Sequence, residues 1–103
     1  MYVVCVEFEI APDCAAAFGE AVLRQAADSL GLEQECRRFD VARGLGERRS
    51  VFFLYEHYDT EDAFRRHLAT RHFAAFDALV APWVRRKTVA TYLRFDGAPG
   101  AAP

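Results

Sequence analysis

Residues 50–58 constrain the fold more than any other part of the chain, because this segment is apolar on both sides of an extended strand. Side chains in a strand alternate between its two faces, so Phe53 and Tyr55 lie on one side and Phe52 and Leu54 on the other. A strand of this kind needs a covering layer on each face. We therefore expect a sheet with helices on one face and a second covering surface on the other.

Three further segments alternate like strands, over residues 2–10, 36–43 and 88–95. After the first strand, Phe18, Val22, Ala26 and Leu30 recur every fourth residue, which is typical of an amphipathic helix. Asp13 is a candidate cap for this helix, which we expect to end near position 31. Glycines at positions 44 and 46 predict a turn that joins the second and third strands as a hairpin.

The region from 59 to 83 has helical spacing with an interruption. Thr60 is a candidate cap with acidic residues beside it, and Pro82 marks where the regular helix is lost. Apolar side chains and two histidines recur there at intervals of three or four: Phe64, His67, Leu68, His72, Phe76, Leu79 and Trp83. We predict two helical pieces before the last strand.

The element order is β-α-β-β-α-β, which predicts an α+β, ferredoxin-like domain with one antiparallel sheet. We assign residues 1–96 to this single domain and residues 97–103 to a disordered tail. The same face of another copy is the most economical cover for the open side of the third strand, so we expect a homodimer. The alternative is a monomer whose own loop covers that face.

Composition excludes several classes of function. Thirteen Lys plus Arg against fifteen Asp plus Glu give a formal net charge of −2, so no basic field is present to hold nucleic acid or an anionic membrane. No apolar run is long enough to span a membrane, and no targeting segment precedes the first strand, so we expect a cytoplasmic protein. Cys5, Cys14 and Cys36 match no disulfide or zinc pattern and are interpreted as reduced thiols, mostly buried.

Ionisable residues concentrate in residues 55–72. Glu56 lies on the apolar face with Phe52 and Leu54. It is either a general base or substrate anchor, or a carboxylate hydrogen-bonded to a strand neighbour or to a helix arginine such as Arg65. His67 lies on an apolar helix face, and we weigh an acid–base role against a satisfied core histidine. His72 has the same two interpretations, with capping of the helix break as its structural role.

No metal is expected at the histidines. His57 falls on the opposite strand face from Glu56, and neither His67 nor His72 has a histidine four residues away. The aromatic residues of the second helical region either line a cavity for a flat ligand or form plain core. The aromatic residues of that region are Phe64, Phe73, Phe76 and Trp83. The candidate substrate-binding set consists of Phe64, Phe76 and Trp83, together with Tyr58 and Phe39 from outside that region.

One set of residues resembles a known signature: the run 55–59, followed by Ala63, His67, Thr70, His72 and Phe73. It is similar to that of antibiotic biosynthesis monooxygenase domains. The resemblance implies a dimeric α+β barrel that oxidises a small quinol-like or phenolic substrate with molecular oxygen and without a cofactor. It also implies that His67, His72, Glu56 and Tyr58 act on the substrate. Arg71 replaces the usual proline, and the chain contains no asparagine, so the Asn/Trp pair of polyketide-oxidising and haem-degrading members is absent.

Two other functions remain open. Arg38 with residues 39–41, together with Glu56, His67 and His72, also resembles phospho-autoinducer isomerases of the same superfamily. That resemblance implies proton shuttling on a phosphorylated dihydroxy-ketone, with Arg38 or Arg71 meeting the phosphate. The third possibility is a dimeric ligand-binding module without turnover, because a fold does not determine a function.

Overall fold

The structure is a computed structural model that describes residues 1–95. The predicted tail over 97–103 lies outside the described residues. Within residues 1–95 the chain forms four strands and three α-helices. In chain order these are β1 (Tyr2–Ile10), α1 (Ala15–Leu32), β2 (Cys36–Arg43), β3 (Val51–Tyr58), α2 (Glu61–Leu68), α3 (Arg71–Val80) and β4 (Val84–Leu93).

The strands form one antiparallel sheet in the order β2-β3-β1-β4. This arrangement confirms the predicted α+β, ferredoxin-like fold. Val6 of β1 lies opposite Leu54 of β3 and Val89 of β4, so these three side chains share one face. The helices cover this face over β1 and β3, where Val6 and Leu54 are buried, whereas Val89 on the edge strand stays half exposed.

An aromatic cluster forms the centre of the core between the sheet and the helices. Phe18 of α1 is fully buried, with its ring centroid 4.8 Å from that of Phe52 and 5.0 Å from that of Phe8. The ring of Phe76 on α3 lies 6.1 Å from that of Phe18. One residue of α1 therefore joins two strands and another helix.

The predicted end of the α1 apolar face is wrong. Leu30 is 45% exposed, while Gln25 and Ser29 are buried. Each step of four residues turns the helix about 40° past a full turn, so three steps from Phe18 place Leu30 about 120° away around the helix. The buried face follows the 3.6-residue period and reaches Ser29 instead.

Two other boundaries differ from the sequence-based expectation. Asp13 makes no capping hydrogen bond, since a short 3₁₀ turn over Pro12–Cys14 precedes α1. β4 begins at Val84 rather than near position 88, immediately after another 3₁₀ turn, over Ala81–Trp83, that contains the predicted helix-ending proline. Proline favours both turns because its ring is compatible only with the first turn of a helix.

Both glycines of the β2–β3 hairpin are required by the backbone. Gly46 has a φ of +58°, a conformation that glycine adopts without steric cost. A Cβ at Gly44 would lie 2.2 Å from the carbonyl oxygen of Arg48. The predicted hairpin turn is confirmed.

Threonine hydroxyls cap the starts of both helices in the second helical region. The Thr60 cap and the division into two helices were predicted, whereas the Thr70 cap was not. The Thr60 hydroxyl accepts the Ala63 N–H at the start of α2, at 3.1 Å. The Thr70 hydroxyl accepts the Phe73 N–H at 3.2 Å and donates to the His67 carbonyl at 2.7 Å. Thr70 therefore connects the end of α2 to the start of α3. These contacts determine the relative positions of His67 and His72.

The three cysteines are free thiols, with Cys36 buried and Cys5 and Cys14 partly buried. Burial raises the pKa of the Cys36 thiol to about 11. Within residues 1–95, no helix combines the length and the apolar character needed to cross a membrane.

Candidate active site

A cavity of about 250 Å³ lies between the helix-covered face of the sheet and helices α2 and α3. Its walls are mostly apolar, which keeps the number of competing water molecules low. Four polar side chains also line it: Gln25, Glu56, His67 and Lys87. Its apolar lining consists of Val6, Phe8, Phe39, Leu54, Phe64, Leu68, Phe73, Phe76 and Val89.

His67 lines this cavity and is held from behind by Glu33. The side chain of His67 is 3% exposed, and its Nδ1 lies 2.9 and 3.1 Å from the two carboxylate oxygens of Glu33. Burial lowers the pKa of His67, although Glu33 acts in the opposite direction. A neutral ring that donates Nδ1–H to Glu33 leaves a lone pair on Nε2. Because Glu33 holds Nδ1 and the ring lines the cavity, Nε2 is the nitrogen left for a ligand.

Aromatic rings fix the orientation of the His67 imidazole. The Phe73 ring centroid lies 5.1 Å from that of His67, and the Tyr58 ring lies 5.3 Å away. Phe64 stacks on the imidazole at 6.0 Å with an interplanar angle of 17°. The predicted inward orientation of His67 is confirmed.

Glu56 is the buried carboxylate of the cavity and is 3% exposed. Its Oε1 accepts the Tyr58 hydroxyl at 2.6 Å. Burial raises the pKa of Glu56 to about 7, while the Tyr58 hydrogen bond and the Lys87 charge act in the opposite direction. Arg65 is not a partner of Glu56, because it pairs at the surface with Glu61 and Asp62. The carboxyl group therefore exchanges a proton near neutral pH.

Lys87 is the only lysine of the sequence and the one cationic side chain among the described residues that line the cavity. It projects from the edge strand β4, and its Nζ lies 5.4 Å from the Phe8 ring centroid and 5.8 Å from that of Phe73. Both distances allow cation–π contacts. No local sequence pattern indicates this placement, since Lys87 follows Arg85 and Arg86 in what resembles a solvated charge run.

His72 lies behind His67 rather than in the cavity wall. The two imidazole centroids are 5.9 Å apart, and His72 Nε2 lies 2.6 Å from Glu33 Oε2. His72 Nδ1 lies 3.2 Å from Oε1 of Gln25, on the buried face of α1. His72 and Trp83 line a separate outer groove between α1 and α3.

The structure thus brings together five of the eight site residues that were predicted from the sequence. His67, Glu56, Phe39, Phe64 and Phe76 line the cavity. Tyr58 donates a hydrogen bond to Glu56, and His72 contacts Glu33. Sequence reasoning missed Glu33, Gln25 and Lys87. The 3.6-residue period of α1 was a usable signal for Gln25, whereas Glu33 follows the helix and Lys87 lies on an edge strand, where no local pattern distinguishes them.

The opposite face of the sheet has an apolar centre and a charged rim. Phe53 is 41% exposed and Tyr92 is 54% exposed, with the partly buried Tyr55 and His57 beside them. His57 lies on this face, as predicted. Three ion pairs surround the centre: Arg38 with Asp40 at 2.6 Å, Arg48 with Glu7 at 3.1 Å, and Arg86 with Glu9 at 3.7 Å.

The sequence profile of antibiotic biosynthesis monooxygenases matches residues 1–79, which is most of the described chain. The chain belongs to the antibiotic biosynthesis monooxygenase family. A candidate antibiotic biosynthesis monooxygenase from Nitrosomonas europaea shares 28% identity with this family member, with a TM-score of 0.85 over 92% of this chain and 99% of the other. No curated protein matches the chain.

Two more distant structures show the same fold. A candidate antibiotic biosynthesis monooxygenase from Deinococcus radiodurans has a TM-score of 0.86 at 18% identity, covering 94% of this chain and 95% of its own. Rv0793 from Mycobacterium tuberculosis has a TM-score of 0.84 at 21% identity, covering 94% of this chain and 97% of its own. Because these two structures share less than 25% identity with the chain, they establish the fold alone.

Proposed function

We propose that the protein is a cofactor-independent monooxygenase that oxidises a small quinol-like or phenolic substrate with molecular oxygen. The observation that carries this proposal is the position of the His67 imidazole, which lines an apolar cavity while Glu33 holds its Nδ1. Membership of the antibiotic biosynthesis monooxygenase family supports the same reaction class.

The proposed chemistry begins with proton removal from the substrate. His67 Nε2 accepts the proton of a phenolic hydroxyl, and the resulting anion is electron-rich enough to transfer an electron to oxygen. The Lys87 ammonium at the cavity mouth stabilises this anion, and the apolar wall keeps water away from the reacting atoms. The substrate is itself the reductant in this scheme.

Glu56 supplies a second proton-exchanging group in the same cavity. Its pKa of about 7 leaves both protonation states accessible near neutral pH, so it can donate a proton to a reduced oxygen species or accept one from the substrate. Tyr58 positions the carboxyl group through its hydrogen bond.

Oxygen uptake tests this proposal. We expect metal-stripped protein to consume oxygen with some members of a panel of quinols and polyphenols. His67→Ala should lower turnover by about 10²–10⁴-fold, the typical contribution of a general base. His57→Ala is the matched control on the opposite face of the sheet and should keep activity. Unchanged turnover in His67→Ala would exclude this histidine from the mechanism.

An isomerase is the second candidate, and it is favoured by the presence of two proton-exchanging groups and one cation in the cavity. His67 and Glu56 can shuttle a proton between adjacent carbons without oxygen. Lys87 is the available phosphate partner, because Arg38 is paired with Asp40 on the other face of the sheet and Arg71 does not line the cavity. Turnover of a phosphorylated dihydroxy-ketone under anaerobic conditions would establish this alternative. Saturable binding without turnover in either assay would instead identify a ligand-binding module.

We also propose that two copies associate through the open face of the sheet. Its apolar centre with an ion-paired rim has the organisation of a protein interface. Phe53→Asp places a charge at that centre and should shift a dimer to a monomer in sedimentation equilibrium, with the far-UV circular dichroism spectrum retained. A wild-type protein that sediments as a monomer would refute this association.

A further inference from the structure

We propose that Glu33, His67 and His72 form a binding site for a single divalent transition-metal ion of the Zn²⁺ type, behind the wall of the cavity. One donor atom from each residue lies within 4.8 Å of the other two. The three side chains are 13%, 3% and 12% exposed, so the donors face one another away from bulk water. His57 has no part in this set, which differs from the three-histidine site that the sequence disfavoured.

The contact between His72 and Glu33 is the first observation in favour of a bound cation. His72 Nε2 lies 2.6 Å from Glu33 Oε2, yet this buried nitrogen lacks a partner with hydrogen-bond geometry among residues 1–95. A nitrogen lone pair and a carboxylate oxygen at this distance repel each other unless a proton or a metal ion lies between them. A metal ion bound to both atoms removes that repulsion.

Gln25 determines which nitrogen of His72 carries the proton. The Gln25 amide Nε2 donates to the Ser29 hydroxyl at 3.5 Å, which leaves Gln25 Oε1 directed at His72 Nδ1 at 3.2 Å. In the tautomer that satisfies this contact, the His72 Nδ1–H donates to Gln25 and the lone pair is on Nε2, towards Glu33. Metal-binding histidines commonly donate their second N–H to a carbonyl oxygen in this manner.

The donor chemistry indicates the class of ion. Two imidazoles and one carboxylate are a ligand set used for zinc and for other first-row transition metals. Bonds of about 2.0–2.1 Å in tetrahedral geometry require donors about 3.3 Å apart, so the present 2.6 and 2.9 Å separations must open slightly. Glu33 directly follows the end of α1, in extended backbone conformation, so it lies outside the regular helix.

Metal binding would also control the proposed reaction, and this part of the inference rests on the proposed function. A metal on Nδ1 of His67 displaces the hydrogen bond to Glu33, and the neutral ring then carries its proton on Nε2. Nε2 faces the cavity as a donor and can no longer accept a proton from the substrate. Zn²⁺ should therefore inhibit the enzyme rather than activate it.

Titration of the metal-stripped full chain with Zn²⁺, followed by calorimetry in the absence of substrate, tests the site. We expect one ion per chain. Glu33→Gln and His72→Ala should each weaken binding by about 100-fold or more, and Gln25→Ala by about 10–100-fold, since it removes only the hydrogen bond to a ligand. Glu35→Gln is the matched control, because Glu35 lies two residues further on and pairs with Arg66 at the surface. This control should bind as the wild type does.

Co²⁺ provides a second readout in case a variant folds poorly. Wild-type protein with one equivalent of Co²⁺ should show visible absorption from a bound, low-coordinate ion, and Glu33→Gln should not. Absence of stoichiometric Zn²⁺ binding, or binding that survives both Glu33→Gln and His72→Ala, would overturn the proposed site. Oxygen uptake that persists at saturating Zn²⁺ would overturn the inhibitory role alone, while absence of oxygen uptake from stripped protein would count against the proposed function and leave the metal measurement valid.

Discussion

The two faces of the sheet have similar apolar sequences but very different environments. On the helix side, Phe52 and Leu54 of β3 are each 3% exposed, whereas Phe53 on the other side of the same strand is 41% exposed. The alternating pattern shows that both faces require cover. The pattern does not show that the helices of this chain cover only one of the two faces.

The same residue types behave differently on the two faces. Glu56 is enclosed and its pKa is raised to about 7, whereas Glu7 on the open face pairs with Arg48 in contact with solvent. His67 is fixed by Glu33 beside a cavity, whereas His57 lies on the open side. Enclosure between sheet and helices, rather than residue type, therefore makes a side chain suitable for proton transfer.

The largest expected difference between the faces concerns core packing. Phe18→Ala should lower the free energy of unfolding by about 3–5 kcal/mol, because it removes a fully buried ring from the aromatic cluster. Phe53→Ala makes the same chemical change on the open face and should cost about 1 kcal/mol. Urea unfolding, at concentrations where the midpoint no longer depends on the amount of protein, measures both. Equal losses would contradict the contrast between the faces.

The next difference concerns the pH dependence of stability. The folded-state pKa of Glu56, about 7, lies above the unfolded value of 4.5, so its protonated form is favoured by folding. This contribution is fully present at low pH and is lost as the pH rises through 7. The wild type should therefore lose about 2–3 kcal/mol between pH 5 and pH 8 relative to Glu56→Gln.

Buried His67 acts in the opposite direction, because its lowered pKa destabilises the fold as the pH falls below 6.5. This contribution is common to the wild type and Glu56→Gln, so their difference isolates Glu56. Glu7→Gln is the control from the open face. Its unfolding free energy should change with pH as that of the wild type does, since Glu56 is still present. Parallel pH profiles for wild type and Glu56→Gln would show that Glu56 is not protonated on burial.

The smallest expected effect belongs to the rim of the open face. The side chains of Arg48 and Glu7 are 64% and 43% exposed, and exposed ion pairs contribute about 0–1 kcal/mol. Arg48→Gln should therefore change the unfolding free energy by less than about 1 kcal/mol, with the difference decreasing at high salt. Thermal melts at two salt concentrations measure this. A loss comparable to that of Phe18→Ala would mean that the rim, and not the core, determines stability.

The order of the elements was predictable because it depends on local periodicity. Alternation identified the strands, and the helical spacing over residues 59–83 predicted two helical pieces where the structure has α2 and α3. The position of His67 among apolar helix residues also predicted that it points inward. The wrong predictions of a cap at Asp13 and of a buried Leu30 come from the same local reasoning. A short pattern does not show a 3₁₀ turn, nor the 40° by which each step of four residues exceeds a full helical turn.

The sequence by itself determined which segments form strands and helices, that β3 is apolar on both sides, and that Glu56 and His67 lie on the same side of the sheet. Only the tertiary structure decided that Glu33 reaches His67 and His72, and that Lys87 reaches the cavity from the edge strand. Periodicity reports which face of its own element a residue occupies. The approach of Glu33 to residues 34 and 39 positions away depends on how the end of α1 packs against the later helices, and no local pattern contains that information.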